Sequence, residues 1–523
     1  MTSGSGIPRA FLALLIVQAC FLYTLIATGD VPFGEDQDAY LAAAHEARKG
    51  GPLFDGQRHP LLPLVLAALS PSGEAGFTAS RLIVSAGLVL MTLGQFLWAR
   101  GLWGSGPAFL WAWFLGFNHL VLSMGAMVMV EPWLIQLLGF TVLAMVQAQR
   151  LQRRWWVAGV MLGLAYLAKG TVPVVAVAIF AGLALVRQWR ATVSVALGFL
   201  PWVGLFCLYR LSAFGDPWHQ VSQGISWLGH YHPHQLVGSG FGQELERVGW
   251  EGFAARLWSG AGELPPLLPS VLSPLRGGWS TFSLMVVMLC GLPMMRLTLQ
   301  SGWGSLCSAK GRRVLLMMAT LWALGVVLFC AWMVPVAKVP RYGAPLIPLA
   351  ALAVVHLWRR SKPHTLKPEL PWRRSWLWVA MTAFLLPWPH LSWANLVNPD
   401  ASWRKDPRYR AYQTIRETIE AESPAIRPRV LYGPGQFLPR EWLWDYERVW
   451  LPFDAQHDPI AVSQAFESSD FWVIDRGTRE RNGSLFQEAC RGLGQRGRLL
   501  YSGDTGLDPV QVFQRNEGFQ KTP

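Results

Sequence analysis

Three carboxylates stand close together just after the first long apolar stretch of the chain: Glu35, Asp36 and Asp38. A carboxylate can act as a general base and take the proton from an attacking hydroxyl group. Because Asp36 and Asp38 are two positions apart, they point in different directions on a regular helix, so at most one of them is expected to face a reaction centre. Asp36 and Asp38 are the candidate catalytic residues. The competing interpretation is that these acids only solvate a loop.

Candidate partners for a phosphate group occur in three other segments. Arg58 and His59 precede a short apolar segment, Lys169 ends a longer one, and Lys338 and Arg341 lie in a connection between two more. Cations placed in this way can stabilise a negatively charged leaving group. The competing interpretation is that Lys and Arg near the ends of membrane helices reach towards lipid head groups without a catalytic role.

A further carboxylate, Glu131, opens an apolar stretch and is followed by Pro132. An acid in a membrane segment is costly, which makes it a candidate for function. It could equally be stabilised by the positive end of a helix dipole, with the proline in the first helical position. The two interpretations are compatible.

The alternating histidines His230, His232 and His234 could suggest a metal site. The intervening proline and the lack of a partner carboxylate favour a polar interfacial loop instead. No metal ligand and no cofactor is therefore assigned, although use of a divalent metal is left open.

The composition is that of a membrane protein. Of the 523 residues 52% are hydrophobic and only 15% are charged, whereas about a quarter are charged in a typical soluble protein. Several runs approach the ~20 apolar residues that cross a bilayer. We predict a polytopic α-helical membrane protein with about 11 spans: Ala10–Thr28, Leu82–Trp98, Pro107–Leu122, Pro132–Val146, Trp155–Leu167, Val172–Val186, Ala191–Leu211, Phe282–Met295, Val314–Val334, Gly343–Trp358 and Ser375–Leu391.

The positive charges indicate the orientation of these spans. Lys and Arg cluster in alternate connections, as in the Arg150–Arg154 and Arg359–Arg374 segments, and such connections are cytoplasmic in most membrane proteins. The pattern predicts a multi-pass protein of the inner (plasma) membrane with a cytoplasmic N-terminus. It also puts the acids and the candidate cations together on the extracytoplasmic side. The net charge of +13 thus reflects topology, and no nucleic-acid partner is expected.

Two domains are predicted. Residues 1–391 form the membrane domain, with a first external loop at 30–80 and a second, irregular one at 212–280. In the first loop, Asp38–Lys49 and Pro60–Leu69 are predicted as surface helices. Residues 392–523 are predicted to form a small soluble extracytoplasmic α/β domain, with helices at Tyr409–Ala421, Pro459–Phe466 and Leu485–Arg491 and strands at Arg429–Tyr432, Val449–Pro452, Phe471–Ile474, Leu499–Tyr501 and Pro509–Phe513.

The side of the membrane limits the chemistry. Nucleotide sugars and ATP are scarce outside the cytoplasm, so group transfer there often uses lipid-linked donors. A sugar on a polyprenyl phosphate already has a good leaving group, whereas the acceptor hydroxyl needs a base. Such a reaction requires a carboxylate near the acceptor and cations near the phosphate, and this chain offers both.

In order and topological side, the motifs of roughly the first 360 residues resemble those of the GT-C superfamily of membrane glycosyltransferases. The resemblance is to its aminoarabinose-transferase and protein O-mannosyltransferase-like branch in particular. The matching elements are Asp36-x-x-x-Tyr40, Gly51–Asp55, Arg58-His59-Pro60, Glu131-Pro132, Leu167–Thr171 and Arg341-Tyr342.

The resemblance implies an inverting transfer of a sugar from a polyprenyl-phosphate donor to a hydroxyl group of a lipid, glycan or protein. Asp36 matches the catalytic acid of the family, and Arg58, Lys169 and Arg341 match its donor-phosphate contacts. The chain departs from the family at Gln37, where many relatives have a second acid. It also has His59-Pro60 in place of the usual Pro-Pro.

The remaining predicted site residues extend this set. We expect His59 and Lys338 beside the donor phosphate, and Tyr40, Glu131 and Tyr342 in contact with substrate.

Two other classes of function are left open. A transporter or flippase for lipid-linked sugars would place ionisable residues in mid-span or broken helices in two repeated halves. A ligase or polymerase using a lipid diphosphate donor would need similar acids and cations.

Overall fold

The computed structural model describes residues 8–28, 37–54, 58–71, 74–219, 241–272, 309–335, 340–360, 376, 379–383, 386, 407–422, 429–432, 447–450, 459–474, 491, 493–503 and 510–516. The helices are α1 (Arg9–Thr28), α2 (Gln37–Arg48), α3 (Leu61–Leu69), α4 (Glu74–Trp103), α5 (Ser105–Gly116), α6 (His119–Gly125), α7 (Glu131–Leu151), α8 (Trp155–Ala168), α9 (Val172–Leu185), α10 (Trp189–Phe214), α11 (Phe241–Leu272), α12 (Ala309–Met333), α13 (Ile347–Arg360), α14 (Pro407–Glu422), α15 (Pro459–Glu467) and α16 (Leu493–Arg496).

Among the described residues, five helices are long and apolar enough to cross a bilayer: α1, α4, α7, α10 and α12. A bent pair, α5 and α6, makes a sixth if it is counted as one span, and α8 and α9 are shorter apolar helices. The chain is thus a mostly helical membrane protein. The predicted span Phe282–Met295 and most of Ser375–Leu391 lie outside the described residues.

The predicted single span Pro107–Leu122 is wrong in one respect, because the chain bends there by 57° between α5 and α6. Asn118 stands at the break. Its side chain accepts a hydrogen bond from the backbone N–H of Leu120 (3.0 Å) and donates one to the carbonyl oxygen of Val271 (3.0 Å). An N-cap asparagine starts the second helix and also ties the break to α11.

The prediction of an irregular second loop at 212–280 is also wrong in part. Residues Phe241–Leu272 are helical, with one non-helical residue at Gly249, where φ is +66°. Pro265, Pro266 and Pro269 lie within this helical range, although proline normally interrupts a helix interior. Residues 220–240 of this loop, with the three histidines, lie outside the described residues.

The two helices predicted for residues 30–80 occur as α2 and α3, and one arginine joins them. Arg48, at the end of α2, donates from Nη2 to the carbonyl oxygens of Leu66 (2.9 Å) and Ser70 (2.8 Å), and from Nε to that of Ala67 (3.2 Å). These carbonyls lie at the C-terminal end of α3, where a cation is favoured by the helix dipole. The two helices are therefore held as one unit.

The C-terminal segments form a five-stranded mixed sheet. Its strands are β1 (Arg429–Tyr432), β2 (Glu447–Trp450), β3 (Phe471–Ile474), β4 (Gly497–Gly503) and β5 (Val510–Arg515), in the order β2-β1-β3-β5-β4. β1 runs parallel to β2 and β3, whereas β5 is antiparallel to β3 and β4. All five predicted strands occur, with shifts of one to two residues at some ends. The predicted helix Leu485–Arg491 lies almost wholly outside the described residues.

Two glycines let α8 and α10 approach closely. A Cβ atom on Gly159 would lie 2.1 Å from the carbonyl oxygen of Val195, and one on Gly198 would lie 2.1 Å from that of Trp156. Both clashes are with backbone, so a side chain at either position requires the helices to move apart. Small residues at such crossings are typical of membrane helix pairs.

We expect Gly159→Ala and Gly198→Ala each to lower the stability of the protein by about 1–3 kcal/mol, the usual cost of overpacking. The matched control is Gly204→Ala on the same helix α10, where a Cβ meets no atom within 4 Å. Thermal unfolding of the purified protein in detergent measures the effect. Equal melting temperatures for Gly159→Ala and Gly204→Ala would contradict the close crossing.

Candidate functional site

The candidate site is built around Glu131, the first residue of α7. The helix begins here because Pro132 favours its first turn, and the acid lies at the positive end of the helix dipole. Glu131 is only 1% exposed. A carboxylate buried this far requires charged partners.

Lys169 and Arg341 supply those partners. The Nζ atom of Lys169 contacts Oε1 of Glu131, and Nε of Arg341 lies 3.9 Å from the same oxygen. Lys169 caps the C-terminal end of α8, and Arg341 belongs to the 3₁₀ turn Pro340–Leu346. Three of the residues predicted from the sequence thus meet, although they are far apart in the chain.

The beginning of α2 is joined to the same region. The backbone N–H of Val128, three residues before Glu131, donates to Oε1 of Gln37 over 2.9 Å. Gln37 is the first residue of α2 and is buried. The helix that follows the acidic segment in sequence therefore starts beside the turn that leads into Glu131.

The other predicted site residues differ in how far the structure describes them. Tyr40 is buried in α2. Tyr342 follows Arg341 and packs edge-on against Phe329, with the ring centroids 6.0 Å apart. Arg58 is half-buried beside His59. The side chains of Asp36, Asp38 and Lys338 lie outside the described residues, and their roles stay predictions.

His59 is buried between α8 and α10. Its Nδ1 lies 2.6 Å from the carbonyl oxygen of Tyr166, so the N–H of the neutral ring donates to this acceptor. Burial, with a smaller effect from Arg210, lowers the pKa of His59 to about 3. A neutral ring lends no positive charge to a phosphate, and the predicted phosphate contact can therefore not be an ion pair at neutral pH.

Two buried arginines were not singled out from the sequence. Arg210, near the end of α10, stacks on Phe206 (3.9 Å from guanidinium carbon to ring centroid), and Arg81 in α4 stacks on Phe77 (4.1 Å). Both are at most 1% exposed. Each lies at the edge of an apolar stretch, where a snorkelling arginine is common, and the sequence therefore gave little indication that they are buried.

Within the described residues, no three His, Cys, Asp or Glu side chains lie close enough to hold a metal ion. The charged groups that the structure does bring together here are Glu131, Lys169 and Arg341, which we call the ion cluster. Among the described residues of the cluster, one carboxylate faces two cations. Such a cluster can accept a singly charged phosphodiester and strengthen its hold as the departing phosphate gains charge.

We expect the Glu131–Lys169 pair to show strong energetic coupling in a double-mutant cycle of Glu131→Gln and Lys169→Gln. Each single variant leaves a charge without its main partner in a buried place, so the double variant should lose less stability than the sum of the single ones, by about 0.5–3 kcal/mol.

The control pair is Arg416 and Glu420 in α14, which are also joined by a salt bridge but are 51% and 63% exposed. Coupling there is expected below about 0.5 kcal/mol. Unfolding in detergent gives the energies. Additive effects at Glu131 and Lys169 would contradict the ion cluster.

The fold is shared with solved membrane proteins. ArnT from Cupriavidus metallidurans bound to undecaprenyl phosphate matches with a TM-score of 0.56 and 14% identity, covering 98% of this chain and 99% of that chain. The same protein in the apo state matches with a TM-score of 0.52 and 14% identity over 96% and 97% of the two chains. No protein-family model matches the sequence, and neither does any curated protein.

At this identity the likeness is one of fold. It extends over nearly the whole of both chains, and it therefore covers the segments that carry Glu131, Lys169 and Arg341. The fold that the resemblance in sequence motifs implies is thus the fold that the chain shares with ArnT.

Proposed function

We propose that the protein is an integral-membrane, inverting glycosyltransferase that moves a sugar from a polyprenyl-phosphate donor to an acceptor hydroxyl. The observation that carries the proposal is the ion cluster of Glu131, Lys169 and Arg341 beside the start of α2. Cations for a phosphate lie next to the helix that follows a segment of candidate bases. The fold supports the proposal, because ArnT with the same fold was solved with undecaprenyl phosphate bound.

The cluster would bind the leaving group. The donor phosphodiester carries one negative charge, and a second develops on the phosphate as its bond to the sugar breaks. Lys169 and Arg341 share Glu131 in the free protein, and they would turn towards the phosphate as this charge grows. Glu131 would keep the two cations in place without cancelling both. Arg58 and Lys338 are proposed to complete the phosphate side of the site, whereas His59, whose neutral ring donates its N–H to Tyr166, is proposed only to hold the segment that carries Arg58.

Asp36 is proposed as the general base. It would take the proton of the acceptor hydroxyl while the hydroxyl oxygen attacks the anomeric carbon from the face opposite the phosphate. The new glycosidic bond forms as the bond to the phosphate oxygen breaks, and polyprenyl phosphate leaves with both electrons. Attack from the opposite face inverts the configuration. Asp38 is the alternative base, and Tyr40 and Tyr342 are proposed substrate contacts.

The membrane arrangement follows from the same proposal. About 11 spans, a cytoplasmic N-terminus and the positive-inside pattern would put the active site on the extracytoplasmic face of the inner (plasma) membrane. The donor would enter sideways from the bilayer. The segment 392–523 is proposed as an extracytoplasmic domain that binds the acceptor or caps the site. The acceptor would be a lipid, glycan or protein hydroxyl.

We expect Asp36→Asn to abolish transfer of radiolabelled sugar from a pool of polyprenyl-phosphate sugars to cell-envelope acceptors, because an amide cannot accept the proton. The variant should still bind the donor, since the phosphate contacts are intact. Asp38→Asn at matched expression is the control and should retain transfer.

Loss in Asp38→Asn alone would move the base to Asp38. Normal transfer in both variants would contradict a carboxylate base in this segment. Absence of transfer by the wild-type protein, together with movement of labelled lipid across vesicles, would favour a transporter over an enzyme.

A further inference from the structure

The connection between α2 and α3 is held at both of its described ends by helices that follow much later in the chain. At its start, the backbone N–H of Leu53 donates to the hydroxyl group of Tyr209. Phe54 next to it is completely buried and packs edge-on against Phe206 and Phe214, with centroid distances of 5.1 and 6.1 Å. At its end, His59 contacts Tyr166. The end of α10 therefore contacts one part of the connection, and α8 contacts the other.

Arg210 joins these two contacts. Its guanidinium carbon lies 3.9 Å from the ring centroid of Phe206 and 4.9 Å from that of Phe54. Its positive charge also acts on the Tyr166 side chain of α8. A charged group that is 1% exposed in an aromatic shell is costly to keep there. Its position between the connection and α8 suggests a role beyond packing.

The residues at the far side of these contacts belong to the candidate site. Tyr166 lies in the last turn of α8, three residues before Lys169, and the backbone N–H of Lys169 bonds to the carbonyl oxygen of Ala165 over 3.0 Å. Arg58 immediately precedes His59. A shift of the connection relative to α8 would therefore change the distance between Arg58 and the ion cluster.

We propose that Tyr209 and Arg210 are positioning residues that lock the α2–α3 connection against the ends of α10 and α8 and so fix Arg58 relative to Lys169. The lock is purely structural in its contacts, and its catalytic consequence rests on the proposed function. Misplacement of a substrate-holding group by about 1 Å can cost up to about a hundredfold in rate.

The protonation of His59 makes the stability of this lock depend on pH. The charged or titratable groups that face it are Arg210 from α10, Tyr166 and Lys169 from the end of α8, and Arg58 next to it in the chain. Folding keeps His59 neutral, but in the unfolded chain it takes up a proton near pH 6.5. Its contribution to stability is therefore complete above about pH 6.5 and declines as the pH falls towards 3.

The first experiment is hydrogen–deuterium exchange on the full-length protein in detergent. Tyr209→Phe removes the acceptor of the Leu53 N–H, and we expect faster exchange in the peptide that contains Leu53 and Phe54. Arg210→Met should do the same. The control is Arg190→Met in the exposed first turn of α10, which should exchange like the wild type. Unchanged exchange in Tyr209→Phe would overturn the lock.

The second experiment compares the melting temperature between pH 7.5 and pH 5. The wild type should become less stable on acidification, and His59→Gln should lose less. In Arg210→Met the pKa of His59 is expected to rise, so the acid-induced decrease should become smaller. Arg210→Lys keeps the charge and should restore most of the decrease. The same acid response in wild type and Arg210→Met would contradict a link between Arg210 and His59.

Transfer kinetics then separate the two proposals. The lock predicts that Tyr209→Phe lowers kcat several-fold with the donor KM changed less than about twofold, and that Arg210→Lys recovers part of the kcat lost in Arg210→Met. Normal kcat in both variants would overturn the positioning role even if exchange is faster. Absence of transfer in the wild type, with the exchange and pH effects present, would reject the proposed function and retain the lock.

Discussion

The buried carboxylate of Glu131 is the interaction on which the rest of the site depends. It stands where the apolar helix α7 begins, and it draws the end of α8 and the 3₁₀ turn at Pro340–Leu346 to the same point through Lys169 and Arg341. Without a carboxylate there, two cations would face each other in a poorly solvated region, which is unfavourable. With it, the two cations are held together at one point.

Single side-chain hydrogen bonds hold the helices α2 and α3 in place. Arg48 binds the carbonyls at the end of α3, and Gln37 binds the turn before α7. Because hydrogen bonds are directional, these contacts define the positions of the segments better than apolar contacts alone. The glycines Gly159 and Gly198 let α8 and α10 approach closely.

The sequence predicted the features that depend on local pattern. The helices α2 and α3, the strands Arg429–Tyr432 and Phe471–Ile474, and the positions of Glu131 and Lys169 at the ends of apolar helices all follow from periodicity and charge placement. The sequence did not predict the features that depend on contacts between residues far apart in the chain. Helix α11 forms although it contains several prolines, which have a low helix propensity. The break at Asn118 is stabilised in part by a hydrogen bond to the carbonyl oxygen of Val271. The hydrogen bond between Leu53 and Tyr209, the residue before Arg210, joins positions 156 residues apart. No local pattern reveals such a contact.

The most direct test of the ion cluster is the affinity of the purified protein, in lipid nanodiscs, for a polyprenyl phosphate that carries no sugar. The triple variant Glu131→Gln, Lys169→Gln, Arg341→Gln leaves no buried charge unpaired within the cluster and removes both cations, and Arg190→Gln serves as the control. The account predicts at least about tenfold weaker binding in the triple variant, because contacts to a charged group are each worth about 1.5–3 kcal/mol. Equal affinity in the triple variant and the wild type would contradict it.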